Sequence, residues 1–451
     1  MHTPMQPAAH IQASIEVMEH LQSVWAQDRR APVDALLSQY FKARRYIGSK
    51  DRGAISDLLY FVLRNGAALE WHIEQCDRSV TPRRLVMVAL LFYGAPGHTP
   101  MEREDIVSLF SGAQYAPPAI TEPESLMLAR CEGREFTSAM MPDAARYNYP
   151  DWLDGRLKNT FGDELPEAMA ALNAQAPIDL RVNLLKCKSQ ADLILALDRD
   201  GYFGVPTPHS PIGVRLKKRL PAFNTQAFKD GLYEMQDEGS QIVSLLVQAR
   251  PGQKVIDFCA GAGGKTLAIA ATMQNKGRIL AWDVNERRLE QINKRLARAG
   301  VDNVQTHVLK SESDAFLKRH VGSADWVVVD APCSGSGTWR RNPDLKWRFA
   351  AEDLQEVKSL QQSILQQASR LVKPGGKLVY ITCSIFPDEN TWQVKQFLTH
   401  SPSFRVATPD KMWNNHVILQ EGLGPYLQLS PHKDGTDGFF GAILTNDASP
   451  A

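Results

Sequence analysis

The chain has 451 residues, 43% hydrophobic and 22% charged, with a formal net charge of +1. This balance excludes a disordered chain and a uniformly basic nucleic-acid binder, and the length calls for two to four domains, with any basic face local and offset elsewhere. No apolar run of 18 residues occurs, and residues 1–13 lack the basic-then-apolar pattern of a leader, so a cytoplasmic protein with no membrane segment is expected.

Residues 1–145 read as an all-α N-terminal domain. Ile11, Ile15, Met18, Leu21 and Val24 keep close to a 3.6-residue period. Residues 54–73 read as a second amphipathic helix. Thr81 and Pro82 offer an N-cap and a first-turn proline to a third helix, which runs through Leu85 to Phe92 and stops at Gly94. Between the first two helices lie Lys42, Arg44, Arg45, Tyr46, Lys50 and Arg52. Basic side chains with an aromatic among them at a helix entry suit a phosphate backbone, and a solvated charged face is the equal alternative. Residues 146–235 read as a small α+β unit, entered through a linker at 147–151. It has a strand-like alternation over 178–185 and a turn-rich stretch over 206–221. From Gly252 the pattern changes to short apolar strands (254–258, 278–282, 304–309, 326–329, 377–381) alternating with helices (267–273, 286–299 and one ending near Leu371). Such alternation predicts a mainly parallel, doubly wound Rossmann-like α/β domain over residues 236–446.

Three motifs fall at strand ends of that domain. The first, Asp257-Phe-Cys-Ala-Gly-Ala-Gly-Gly-Lys-Thr266, joins a strand to a helix, where glycines let backbone approach a ligand. Cys259 stands where a P-loop needs its first glycine, so the Walker pattern is missed. Asp283, at the end of the next strand, is placed to accept ribose hydroxyls, which serves NAD and S-adenosylmethionine alike. The second motif, Asp330-Ala-Pro-Cys333, and the third, Thr382-Cys383-Ser384, end neighbouring strands and place an acid and two thiols at one crevice. The six cysteines include no CxxC pair, so no zinc site, other metal or disulfide framework is expected. Carbon 5 of cytosine is a poor nucleophile, and a thiolate adding at carbon 6 makes it an enamine-like one. One attacking cysteine, an acid near N3 and a group that assists release are what that chemistry asks for, and an NAD enzyme would leave the two thiols unexplained.

These motifs, with Arg340-Arg341-Asn-Pro-Asp344, Gln236-Asp-Glu-Gly-Ser240 and Asp437-Gly-Phe-Phe440, resemble the RsmB/Sun family of RNA cytosine-5 methyltransferases, strongly over residues 236–390 and in outline over the whole chain. The stretch from Arg45 to Leu63 resembles that family's NusB-like RNA-binding domain. The resemblance implies a class I methyltransferase in which Cys383 attacks, Cys333 assists release and Asp330 holds the cytosine N3 edge. Residues Cys259, Ala260, Gly261, Ala262, Gly263, Gly264, Lys265, Asp283 and Asp330 are then expected to line the S-adenosylmethionine site. It implies a monomer acting on RNA, 16S ribosomal RNA ahead of transfer RNA, with a non-catalytic RNA-binding assembly factor as the remaining alternative. Lys310 stands where the family carries an acid near adenine; either Glu312 or Asp314 substitutes for it, or the adenine contact is lost. Arg44, Arg45, Arg340 and Arg341 are the expected RNA contacts. Of the two tryptophans flanking the Arg pair, Trp347 is read as core.

Overall fold

The computed structural model describes residues 5–94, 99–407 and 425–449. They form two compact units, Met1–Asn173 with Arg341–Ala351, and Ala174–Arg340 with Glu352–Ala451.

The first unit is helical. Its central helix, Pro82–Phe92, buries every residue from Leu85 to Leu91, as an element surrounded by others must. The Thr81 side chain accepts from the Arg84 amide and caps it. The helices Pro7–Gln27 and Ser49–Arg64 pack on it through Ile11, Ile15, Leu21, Ile55, Leu59 and Val62. The helix expected over residues 54–73 is two helices, Ser49–Arg64 and Gly66–Glu74. Asn65 breaks it, its side-chain amide donating to the Phe61 carbonyl (2.9 Å). Gly66 at the restart leaves room for the Trp347 ring, which a Cβ there would meet at a tight 3.2 Å.

That ring arrives on the segment Arg341–Ala351, which follows the second motif in sequence yet folds with the helices. Trp347 Nε1 donates to the Leu63 carbonyl (2.6 Å). Lys346, 1% exposed, donates to the Arg64 carbonyl, the Asn148 carbonyl and Asn173 Oδ1 (3.2, 2.8 and 2.5 Å). Its three protons therefore satisfy three acceptors, one of them the last carbonyl of the helix Ser49–Arg64. Burial holds the ammonium well below the usual lysine range.

The second unit holds two sheets. The smaller is antiparallel, in the order β2-β3-β1-β4, from β1 (Asp179–Val182), β2 (Gly204–Pro206), β3 (Gly213–Leu216) and β4 (Tyr233–Met235). The stretch read as turn-rich thus contains a strand, β3, flanked by its turns. The larger sheet contains β5 (Lys254–Asp257), β6 (Arg278–Asp283), β7 (Val304–Val308), β8 (Ala324–Asp330), β9 (Val372–Thr382), β10 (Phe404–Val406), β11 (Leu427–Leu429) and β12 (Phe439–Asn446). Its order is β10-β12-β9-β8-β5-β6-β7, with β11 also on β12. β9, β8, β5, β6 and β7 are parallel neighbours, and β10, β11 and β12 add antiparallel. Alternate residues feed opposite faces. Val255, Ile279, Val328 and Ile381 enter one core, and Ile256, Leu280, Val327 and Tyr380 the other. The strand order reverses between β5 and β8, which opens a crevice at their carboxyl ends. Among the described residues no helix is long and apolar enough to cross a membrane.

Candidate active site

Four strands of the sheet deliver chemistry to that edge: β5 ends at Asp257, β6 at Asp283, β8 at Asp330 and β9 at Thr382. The backbone after β5 turns through Gly261 and Gly263, both left-handed (φ 53° and 81°), into the helix Gly264–Thr272. A Cβ on Gly263 would lie 2.3 Å from Ile292, so only glycine lets the loop sit against the helix Glu286–Ala299. Asp283 Oδ2 accepts from the Gly261 amide and Oδ1 from the Asn285 amide, each at 2.7 Å. Each oxygen keeps a lone pair for a further donor. Burial, then the carboxylates of Asp283, Asp257 and Asp330, pushes the Cys259 thiol well up.

Asp257, which opens the first motif, is a further acid at this edge. It is 1% exposed. Oδ2 accepts from Thr266 Oγ1 (2.7 Å), and Oδ1 is buried with no partner. Burial raises its carboxyl to about 7. A buried acceptor without a donor is costly unless a ligand supplies one. The sequence signal available was an acid at the strand end, directly before the glycine turn.

Lys265 Nζ lies 2.6 Å from Asp330 Oδ2 and 5.5 Å from the Phe439 ring centroid. Beyond Asp330 the chain reaches Cys333, and beyond Thr382 it reaches Cys383. Their sulfurs are 3.4 Å apart. The hydrogen bond to Cys383, with burial, pushes the Cys333 thiol well above its ordinary range. At that distance either thiol can donate to the other.

Comparison with known proteins places this geometry. Over 420 residues the chain is 31% identical to the ribosomal RNA small subunit methyltransferase B of Salmonella newport, covering 88% of this chain and 91% of that one. The chain belongs to the RsmB/F methyltransferase family. The family model described as 16S rRNA methyltransferase RsmB/F matches residues 244–445, and the model for the family's ferredoxin-like domain matches residues 149–222. The crystal structure of PH0851, 26% identical, covers 98% of this chain and 100% of its own at a TM-score of 0.75. The structure of NSun6 from Pyrococcus horikoshii with SFG, 22% identical, shares the fold over 66% of this chain and 99% of its own at a TM-score of 0.58. Family members with this fold are RNA methyltransferases, and the helical region, the ferredoxin-like unit and the Rossmann-like core follow that plan.

The residues expected to touch RNA fare differently. Arg45 is exposed beside Tyr46, which is 61% exposed, while Arg44 stacks on Tyr40 (3.9 Å) and pairs with Glu16 (3.5 Å). Arg341 is half-buried in the helical unit. Arg340 is a correction. It is 6% exposed, its guanidinium held by Asp437, Asp237 (3.2 Å) and the Gly435 carbonyl (3.0 Å), and is not available to a phosphate. Asp237 also caps the helix Glu238–Leu245, so Arg340 ties the end of the chain to the start of the Rossmann-like domain. Beside Lys310, Asp314 accepts from the Lys310 and Phe316 amides (both 2.9 Å), and Glu312 accepts from the Ser313 and Ser363 hydroxyls (3.2 and 3.0 Å).

Proposed function

We propose that this protein transfers a methyl group from S-adenosylmethionine to carbon 5 of a cytosine in ribosomal RNA, through a covalent bond between Cys383 and carbon 6. The observation that carries the proposal is the pair of sulfurs 3.4 Å apart beside the Asp330–Lys265 ion pair.

The cofactor residues fit. The unpartnered Asp257 Oδ1 is a place for an ammonium donor, Asp283 has lone pairs for ribose hydroxyls, and the Gly261–Gly264 backbone leaves room for a close approach. Bound S-adenosylmethionine would supply an electrophilic methyl carbon. The chain's own residues do the rest. Asp330, steadied by Lys265, receives the N3 edge of a cytosine turned out of its stack. The Cys383 thiolate adds to carbon 6, and carbon 5 becomes nucleophilic and takes the methyl group. Solvent water then takes the proton from carbon 5 and the carbon 6–sulfur bond breaks, returning the electron pair to Cys383. Cys333, 3.4 Å from that sulfur, is placed to donate a hydrogen bond to it as it departs. The likeness of the Thr382-Cys383-Ser384 motif to the family's supports Cys383 as the nucleophile.

The exposed cluster of Lys42, Arg45, Tyr46 and Lys50 on the helical unit is the proposed phosphate contact. Bisulfite sequencing of total RNA from cells with and without the gene tests the reading. A cytosine in small-subunit ribosomal RNA that loses protection with the gene supports it. Loss in a transfer RNA would reassign the substrate, and no loss anywhere would remove the activity.

A further inference from the structure

We propose that Glu389 is the residue that sets the spacing of the two thiols, an inference that rests on the methyltransferase reading and adds a positioning residue to it. Glu389 ends the short turn Pro387–Glu389 beyond β9 and is fully buried. Among the described residues it has no cationic partner. Its carboxylate instead collects donors from three separate parts of the chain. From the loop after β8, the Ser334 amide donates to Oε1 (2.8 Å) and the Ser334 hydroxyl to Oε2 (2.5 Å). From the loop after β9, the Ser384 hydroxyl donates to Oε2. From the helix Ala351–Ser369, Gln361 Nε2 donates to Oε1 (3.1 Å).

Ser334 follows Cys333 and Ser384 follows Cys383. One carboxylate therefore grips the residue next to each sulfur. Ser336 closes the link, accepting from the Ile385 amide (3.0 Å) and lying 3.1 Å from the Ser384 hydroxyl. Gln361 also donates to the Pro332 carbonyl (2.9 Å) and is held in turn by Gln393 Nε2 (3.0 Å).

A buried carboxylate without a cation is costly, and a neutral filling of the same volume is generally the more stable choice. What a carboxylate does here, and a neutral group does not, is accept from four donors at once and turn both serine hydroxyls inward. The two loops are thereby fixed relative to each other. The proposed chemistry needs that: Cys333 reaches the sulfur of Cys383 only while the two stay in contact, and an error of about 1 Å in such a site costs on the order of 100-fold in rate.

The test uses the full-length chain with Glu389→Gln, which removes the buried charge, and, separately, Ser384→Ala, which keeps the carboxylate and removes one of its donors. Two quantities are read: steady-state methylation, split into kcat and the KM values for cofactor and RNA, and the rate at which diamide links Cys333 to Cys383. In the second, the two thiols give up two electrons and two protons, and diamide becomes the hydrazine. That readout does not depend on methylation. Glu389→Gln should lower kcat roughly 10- to 100-fold, hold both KM values within about threefold, and slow the cross-link by about tenfold or more. Ser384→Ala should move both in the same direction by less. Cross-linking at the wild-type rate in folded Glu389→Gln overturns the proposal, whatever the activity does. If Glu389→Gln does not fold, an unchanged cross-linking rate in Ser384→Ala overturns it. Slower cross-linking in a chain whose wild type methylates no cytosine keeps the spacing role and removes the methyltransferase reading.

Discussion

Asp257 offers a prediction that needs no RNA. Its carboxyl is raised from 3.8 to about 7 because burial disfavours the charged form, which Thr266 only partly offsets. The native chain therefore keeps a proton that the unfolded chain has lost between those two values. Stability of the cofactor-free protein should fall as pH rises from about 4 to 7 and level off above, and the full shift corresponds to roughly 4 kcal/mol at most. Binding of a ligand ammonium to Oδ1 reverses the preference and draws the proton off. Affinity for S-adenosylmethionine should then strengthen with pH, close to tenfold per unit below about 6 and flattening near 7.5, for a total on the order of 10- to 100-fold between pH 5 and 7.5. Asp257→Asn keeps the shape and removes the charge. It should weaken the cofactor by about 2–3 kcal/mol at pH 7.5, abolish the pH dependence, and raise the melting temperature of the empty protein. Calorimetric titration at five pH values and thermal melts of both chains provide the measurements. A dissociation constant that is flat with pH in the wild type, or equal in the two chains at pH 7.5, would refute the assignment of Asp257 to the cofactor.

Lys346→Met should destabilise the protein by about 3 kcal/mol or more, since it orphans three buried acceptors, and chemical denaturation would register it as a lower midpoint. Arg45→Glu and Lys50→Glu should weaken RNA binding with little effect on stability, each lowering the slope of log affinity against log salt by about 1, and filter binding across a salt series is the check. Arg340→Ala should behave in the opposite way, costing about 3–5 kcal/mol of stability by taking their shared cation from the buried Asp237 and Asp437. If Arg340→Ala melts like the wild type and loses RNA binding, its reading as a structural tie fails.

What the sequence made legible was whatever local pattern controls. Alternating apolar strands and helices located the parallel sheet, and a residue that ends such a strand reaches the crevice by topology alone. That is why Asp283, Asp330, Cys333 and Cys383 could be singled out before any coordinates. Contacts made across long separations were not legible. Arg340 looked like half of a phosphate clamp because nothing near it in sequence neutralises it; its partners, Asp237 and Asp437, lie about a hundred residues away on either side. The helix break at Asn65 escaped because the apolar period continues through it, and the ring that sits against Gly66 comes from residue 347. The antiparallel strands β10 to β12 leave no such signal because they fall after the regular alternation ends. Glu389 carried no signal at all, since a glutamate beside a turn reads as solvated unless its four donors are known.

The central claim is a covalent mechanism with unequal thiols, and one gel tests it most directly. Wild type, Cys383→Ala and Cys333→Ala are each incubated with substrate RNA and labelled cofactor, then run under denaturing conditions. Cys333→Ala should accumulate a labelled, slow-migrating protein–RNA adduct, because attack and methyl transfer proceed while release is slow. Cys383→Ala should give neither adduct nor methylated RNA. An adduct with Cys383→Ala and none with Cys333→Ala would make Cys333 the nucleophile, and methylation surviving both substitutions would contradict the covalent mechanism itself.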